Sequence, residues 1–323
     1  MLAWPALSLL KKQYPDSTIT VLIPSYTKPM AELCPWIDNI ITDDIHVATI
    51  PDALHLSKTI KPFNFDASIS FFSEMRTALA LWLAHIPQRL GPATKLAQLF
   101  LNKRLKQKRS LSLKPEHEYN TDLVQHFISL NRDNPVDQQE PPFLQFDQQE
   151  ISDLKKNYIT RHNINADKKL VFIHAGTGGS AINLSLQQFA NLARHINKPG
   201  KIHFVLTAGP DELDIASELS SLIQDMEHTI YHSTEGLVNF SKFISICDLF
   251  ISGSTGPLHI AGALNVATVA FYPARRSATP LRWQTLNSQK NRIYFTPDTY
   301  KGENDMQRID TVKCAQDILQ KYF

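Results

Sequence analysis

The 323-residue sequence is poor in cysteine, in net charge and in long apolar runs. Its three cysteines, Cys34, Cys247 and Cys314, are odd in number and scattered, with no second thiol or histidine at metal-ligand spacing. That pattern argues against a disulfide framework or a zinc site and for a reducing compartment. Lys plus Arg (33) nearly balances Asp plus Glu (31), so the charge total names no partner. The longest apolar run, Ala78 to Ile86, is about half the ~20 residues a membrane-spanning helix needs. No basic-then-apolar leader with a small-residue cleavage site opens the chain, and no repeat with a period of roughly 20–50 residues recurs. A soluble cytoplasmic protein is expected, and its length predicts two domains.

Strand-like and helix-like stretches alternate. Ser17 to Ile23 and Asp66 to Phe72 are short strand candidates. Lys169 to Ala175, Lys201 to Gly209, Asp248 to Ser254 and Ala267 to Pro273 form a second set. These are continuous apolar runs, as parallel strands covered on both faces require. Helical patterns fall between them at Leu186 to His195, Glu212 to Ile223, Gly236 to Ile246 and Pro257 to Leu264. The pattern predicts doubly wound α/β sheets. A polar stretch rich in Pro, Gln and Asp, Arg132 to Glu150, reads as a linker, followed by a helix from Glu150 to His162; a closing helix is expected over Met306 to Tyr322. At the front, an amphipathic helix with Pro5 in its first turn precedes the first strand. A doubly wound sheet usually begins with a central strand, so a strand is expected before Met1.

Two strand-to-helix junctions carry the chemistry. In "FIHAGTGGSAINLS", Phe172 to Ser185, Gly176, Gly178 and Gly179 strip side chains from the loop, and Thr177 and Ser180 add hydroxyls. Ser185 with Gln188 makes a capping box for the next helix. Backbone amides at such a junction, aided by the helix dipole, favour an anion; an ordinary tight turn is the alternative. The loop has neither the Gly-Lys-Ser/Thr ending of a nucleotide-hydrolase P-loop nor G-x-G-x-x-G spacing, which disfavours a Rossmann-type oxidoreductase. "FISGSTGPLHIAGALNV", Phe250 to Val266, repeats the design. Pro257 suits a first helical turn, Ser254 or Thr255 would cap it, and His259 lies one turn in. Two such junctions in one sheet can converge on one diphosphate in the crevice beyond the strand ends.

With "HAGTGGSAINLSLQQFANLARHI", "STGPLHIAGALNVATVAFYP" and the opening "MLAWPALSLLKKQYPDSTITVLI", the chain resembles, over essentially its whole length, the heptosyltransferases of glycosyltransferase family 9. The resemblance implies a GT-B fold, an α/β architecture of two Rossmann-like domains facing a cleft. An acceptor domain is expected over residues 1–150 and a nucleotide-sugar domain over 151–303. A helix over 304–323 is expected to cross back to the first. It implies inverting transfer of a heptose from an ADP-activated donor to the inner core of lipopolysaccharide, with no metal or other cofactor. Gly176, Thr177, Gly178, Gly179, Ser180, Thr255, Gly256 and His259 would hold the donor diphosphate. Glu212 would contact ribose or sugar hydroxyls, and Tyr231 to Gly236, with Thr234 and Glu235, would line the nucleobase pocket.

The chain departs from the family pattern in three places. The family's first strand ends in a Gly-Asp pair whose Asp is the general base, and this sequence starts inside that motif, so no catalytic residue is assigned. A base is worth roughly 10²–10⁴-fold in rate, so the chain as given is expected to be impaired. A start placed too late or a truncated gene would account for this, and the alternative is a degenerate relative that binds nucleotide without transfer. A frequent Lys is replaced by Ala181-Ile182-Asn183, leaving Arg275 and Arg276 as candidates to meet the diphosphate charge, with Asn183 able to donate a hydrogen bond; an exposed loop is the other reading of the Arg pair. Ser254 stands where Asp is frequent, which leaves the donor sugar open.

The run Leu101 to Lys114 holds six Lys or Arg and no acid. A solvated helix face is its commonest meaning. The family's acceptors are anionic glycolipids at the inner leaflet, which makes Lys103, Arg104 and, in "PEHEYN", His117 candidate acceptor contacts and implies peripheral contact with the inner membrane. No aromatic interleaving accompanies the run, so nucleic acid is not expected.

Overall fold

The computed structural model describes residues 1–45, 49–179, 182–298 and 304–323, and divides into two compact units, Leu2–Gln139 and Glu140–Phe323.

The first unit opens with helix α1 (Trp4–Gln13), with Pro5 in its first turn and Lys11 and Lys12 in its last. These suit the ends of the helix dipole. Strand β1 (Thr20–Ile23), helix α2 (Lys28–Glu32), strand β2 (Asn39–Thr42) and helix α3 (Ile50–Ile60) follow. Then come β3 (Ala67–Ile69), α4 (Met75–Leu83), β4 (Gln88–Pro92), β5 (Lys103–Leu105) and α5 (Glu116–Leu130). The strands form two short parallel sheets, β1-β2 and β3-β4-β5. Their apolar side chains gather in small clusters. Ala6, Leu9, Val124 and Ile128 of α1 and α5 meet Ile69 and Phe71, while α3 and α4 pack through Ala53, Leu56, Ile60, Ala80 and Leu81 against Leu22 and Phe65.

The basic run Leu101 to Lys114 is not a helix face. Its centre is the edge strand β5, registered with Leu90 opposite Lys103 and Gly91 opposite Arg104, and a 3₁₀ turn follows at Arg109–Leu111. A Cβ on Gly91 would stand 2.8 Å from Leu101 Cδ1, so the bare glycine lets this segment close against β4, and pairing decides its conformation.

The second unit begins with α6 (Gln148–Arg161), capped by Asp147, whose carboxylate accepts the Glu150 amide at 2.9 Å. Strands β6 (Lys169–His174), β7 (Ile202–Ala208), β8 (His228–His232), β9 (Leu249–Gly253), β10 (Thr268–Phe271) and β11 (Arg292–Phe295) build one parallel sheet in the order β11-β10-β9-β6-β7-β8. Helices α7 (Leu186–Ile196), α8 (Leu213–Leu222), α9 (Gly236–Ile244) and α10 (Gly256–Ala263) connect them. The expected apolar runs are the buried centre of the sheet; β8 and β11, which escaped prediction, are its half-buried edges. Strand order reverses between β6 and β9, so the crevice where open α/β sheets take ligands lies past the carboxyl ends of those two strands. Both glycine-containing junctions follow them.

The closing helix α11 (Thr311–Tyr322) is shorter than expected, because Met306–Arg308 is a 3₁₀ turn. Its apolar face, Cys314, Ala315 and Ile318, is buried in the second unit's core, against α7.

Candidate functional site

Beyond β6 the chain turns through Ala175 to Gly179, and Gly178 (φ +53°) and Gly179 (φ +74°) lie in the left-handed region where a side chain is strained. The loop is held by a residue that enters from beyond β7. One oxygen of the Glu212 carboxylate accepts the Gly178 amide at 2.8 Å, and the other accepts the Gly209 amide at 3.0 Å. A Cβ on Gly176 would collide with that carboxyl group, so Gly176 is bare to make room for Glu212. The Gly179 amide donates to Thr177 Oγ1 at 3.2 Å. The amides expected to meet a phosphate at Gly178 and Gly179 are therefore engaged within the protein, the first by a carboxylate.

His174, the last residue of β6, is buried beneath Glu212, with Nε2 3.5 Å from Oε2. Its Nδ1 is 3.1 Å from the Thr207 carbonyl. It is equally 3.1 Å from Thr207 Oγ1, a hydroxyl that can donate or accept. Burial pushes the imidazole pKa down, opposed by Glu212 and by the Thr207 carbonyl.

The second junction is arranged differently. Thr255 stands at the N-cap of α10 without capping it: its buried Oγ1 faces Ser252 Oγ at 3.1 Å. The cap expected from Ser254 or Thr255 is thus unmade, and the first-turn amides of α10 carry no side-chain cap. By contrast, α7 is closed by its capping box, with the Ser185 amide donating to Gln188 Oε1 at 3.0 Å and the Gln188 amide to Ser185 Oγ at 3.2 Å. Of the two helix starts, that of α10 is the one whose N-cap side chain makes no capping bond.

Thr177 and Gly178 from the first junction and Thr255, Gly256 and Pro257 from the second line one cavity of about 360 Å³. His174, Gly209, Asp211 and Glu212 contribute polar walls, and Pro210, Leu237 and Phe240 the apolar ones. Phe240 is backed by Tyr231 at a ring separation of 6.0 Å. The lining carries two carboxylates and no Lys or Arg. Such a cavity suits hydroxyls and a flat ring better than a bare diphosphate, whose charge is left to the α10 amides at the rim.

The remaining expected residues lie around this cavity or apart from it. Asn183 braces the first junction, donating to the Ala175 carbonyl at 3.0 Å and accepting the Leu184 amide at 2.9 Å, and it lies beside Gly253, where a Cβ would strike it. Ser254 follows β9, half-buried. His259 is half-buried in the first turn of α10, its amide donating to the Thr255 carbonyl at 3.3 Å. Thr234 and Glu235 are exposed ahead of α9, where Gly236 and Leu237 line the cavity in their place. Arg275 and Arg276 are exposed beyond β10 and do not line it. Ser180 lies outside the described residues. Among the described residues, no group of His, Cys, Asp and Glu is placed to hold a metal ion, and no helix is long and apolar enough to cross a membrane.

In the first unit, Lys103 and Arg104 are on β5 and His117 is in the first turn of α5. An open cavity of about 570 Å³ lies nearby, lined by Lys106, Lys108, Lys114, Tyr119 and Asp122 among others. None of the three expected acceptor residues lines it. Their neighbours in the same basic run do.

Residues 53–311 match the family model described as glycosyltransferase family 9 (heptosyltransferase). A Haemophilus influenzae protein named no more specifically than a glycosyltransferase is 42% identical over 301 residues, covering 93% of this chain and 86% of that protein. The structure of Escherichia coli ADP-heptose lipopolysaccharide heptosyltransferase II superposes with a TM-score of 0.75 at 17% identity, covering 99% of this chain and 94% of that one. The E. coli heptosyltransferase WaaC with ADP gives 0.72 at 16% identity, covering 99% and 95%. The likeness to these structures shows the fold, GT-B, with its two Rossmann-like units.

Proposed function

The chain belongs to glycosyltransferase family 9, and from that premise we propose that it transfers a heptose or related sugar, with inversion, from an ADP-activated donor to an inner-core lipopolysaccharide acceptor. The observation that carries the reading is the shared cavity of Thr177–Gly178 and Thr255–Pro257, at the strand-order switch of the second unit. The E. coli relatives whose names include ADP-heptose or ADP support the choice of donor. In this reading residues 151–303 hold the donor and residues 1–150 meet the acceptor, at the cytoplasmic face of the inner membrane.

The residues divide the donor between them. Each Glu212 oxygen already accepts one amide and retains a second lone pair, so the carboxylate can also accept a sugar hydroxyl. Asp211 offers another acceptor. Leu237, Phe240 and Pro210 form the apolar side against which a nucleobase packs. The diphosphate then lies at the rim, where the uncapped α10 start and Thr255 meet charge that grows as the sugar departs. Asn183 braces the end of β6 beside it. Arg275, Arg276 and His259 are the candidates to approach the diphosphate from α10 and the loop beyond β10. Lys103, Arg104 and His117 are the proposed acceptor contacts.

A thermal-shift series with ADP, UDP, GDP and NAD tests the donor class, with ADP expected to stabilise most. Stabilisation by NAD alone would sink the reading. Gly178→Val forces a branched side chain onto a left-handed backbone and is expected to weaken ADP binding tenfold or more, since such strain costs about 1–3 kcal/mol. ADP binding without transfer from ADP-heptose would leave the nucleotide half of the proposal and remove the catalytic half.

A further inference from the structure

Successive side chains of a strand alternate between its two faces, so Leu170, Phe172 and His174 of β6 share one. The first two are apolar and fully buried, and Phe172 meets Phe243 of α9 at a ring separation of 5.0 Å. His174 is 3% exposed but polar, 6.1 Å from the Phe240 ring and 6.3 Å from the Phe250 ring. An imidazole among aromatic side chains loses hydration that an apolar residue would not miss, so its polar contacts must offset that cost. Both ring nitrogens face oxygen. Nδ1 lies 3.1 Å from the Thr207 carbonyl and 3.1 Å from Thr207 Oγ1, and Nε2 lies 3.5 Å from Glu212 Oε2.

Glu212 is the group whose place matters, because it lines the cavity and its carboxylate must stay put to select a ligand. Two of its contacts are loop amides: Gly178, which is exposed, and Gly209, which is half-buried. The third, His174, is rooted in the sheet. We propose that His174 is a positioning residue for the donor site. Its Nε2–H donates to Glu212 Oε2, and the Thr207 hydroxyl donates to Nδ1, which keeps the ring proton on Nε2. The other tautomer would turn the Nε2 lone pair toward a carboxylate, an arrangement that repels. Oε2 is then filled by the Gly209 amide and His174, and Oε1 keeps one lone pair beyond the Gly178 amide. That lone pair is the one left for a sugar hydroxyl of the donor. What Glu212 holds rests on the donor reading; where the ring carries its proton does not.

Two measurements test this on the full-length chain. Without ligand, the ring ¹⁵N shifts of His174, assigned by difference against His174→Gln, are expected to show the proton on Nε2. A proton on Nδ1 overturns the inference whatever the donor is. Calorimetry with ADP-heptose then reads the consequence. His174→Phe keeps a ring and loses both nitrogens, and should weaken binding about tenfold, the loss of one hydrogen bond to a charged group. His174→Gln, whose amide can place a donor where Nε2 was, should bind nearly as the wild type does. Thr207→Val should weaken binding and Thr207→Ser should not, a comparison that leaves the ring untouched. In a Glu212→Ala background His174→Phe should change nothing further, because a ring that acts through Glu212 has nothing left to position. Additive losses, or His174→Phe binding as tightly as the wild type, overturn the inference. A wild type that binds neither ADP nor ADP-heptose removes the donor reading, and the ring proton still decides the place of His174.

Discussion

The two units repeat the same strand-helix plan, but one closes it into a single sheet and the other does not. In the second, β6 and β9 lie at the centre of six strands and have no exposed residue beyond their first positions. One core runs from Phe189 and Phe204 to Ile318. In the first, β1 and β3 each have one strand neighbour and are half-buried throughout. Small clusters replace the continuous core. Short sheets are marginal alone and borrow stability from the helices that cover them. The cavity shared by the two junctions is on the unit with the continuous core, where positions held to fractions of an ångström matter. The basic run and the open cavity beside it are on the other unit.

The comparison breaks first at the cores. Phe172→Ala, in a fully buried position of β6, is expected to cost about 3–5 kcal/mol, whereas Ile69→Ala at the half-buried edge of β3 should cost about 1 kcal/mol. Equal losses in denaturant unfolding would mean that the units share one core. Trp4, Trp36 and Trp82 lie in the first unit and Trp283 alone in the second, so the fluorescence transition should precede the circular dichroism one.

Acid sharpens the contrast next. Burial pushes His203 down to about 4, against a weaker pull upward from Glu227, and His174 is lowered as well. His203 stays neutral in the fold down to about 4, while the unfolded chain takes up protons near the ordinary histidine value of about 6.5. The unfolded state then binds more protons, so stability of the second unit should fall as pH drops from about 6.5 toward 4 and stay level above that window. His203→Asn should flatten part of the slope in melts between neutral pH and pH 5, and an unchanged slope would remove His203 from the account. The smallest effect is expected at the α7 cap. Ser185→Ala loses one half of a capping box, about 1 kcal/mol, visible as a small shift in the second transition alone.

The second unit's sheet centre was legible because strands covered on both faces must be apolar throughout. Its edges were not, since His228–His232, with Ile230 as its one aliphatic residue, carries neither an apolar run nor a strict alternation. The capping box at Ser185 was readable because both partners lie within one turn. The three- and four-residue strands of the first unit carry too little periodicity, and β5 was hidden in a basic run whose pairing depends on Gly91. At the candidate site the two junctions could be read, but not the contact that holds the first of them. Glu212 is 34 residues from Gly178, and the only local trace of their contact is a glycine at 176 with no turn to justify it.

That contact links events at the site. A phosphate oxygen that reached the Gly178 amide would displace a carboxylate already bonded there, so one acceptor replaces another and little is gained from the amide alone. The displaced Glu212 oxygen is then freed toward a sugar hydroxyl. Recognition of the two ends of one ligand becomes cooperative through a single side chain, and a fragment carrying only one end should bind more weakly than its share of the contacts implies.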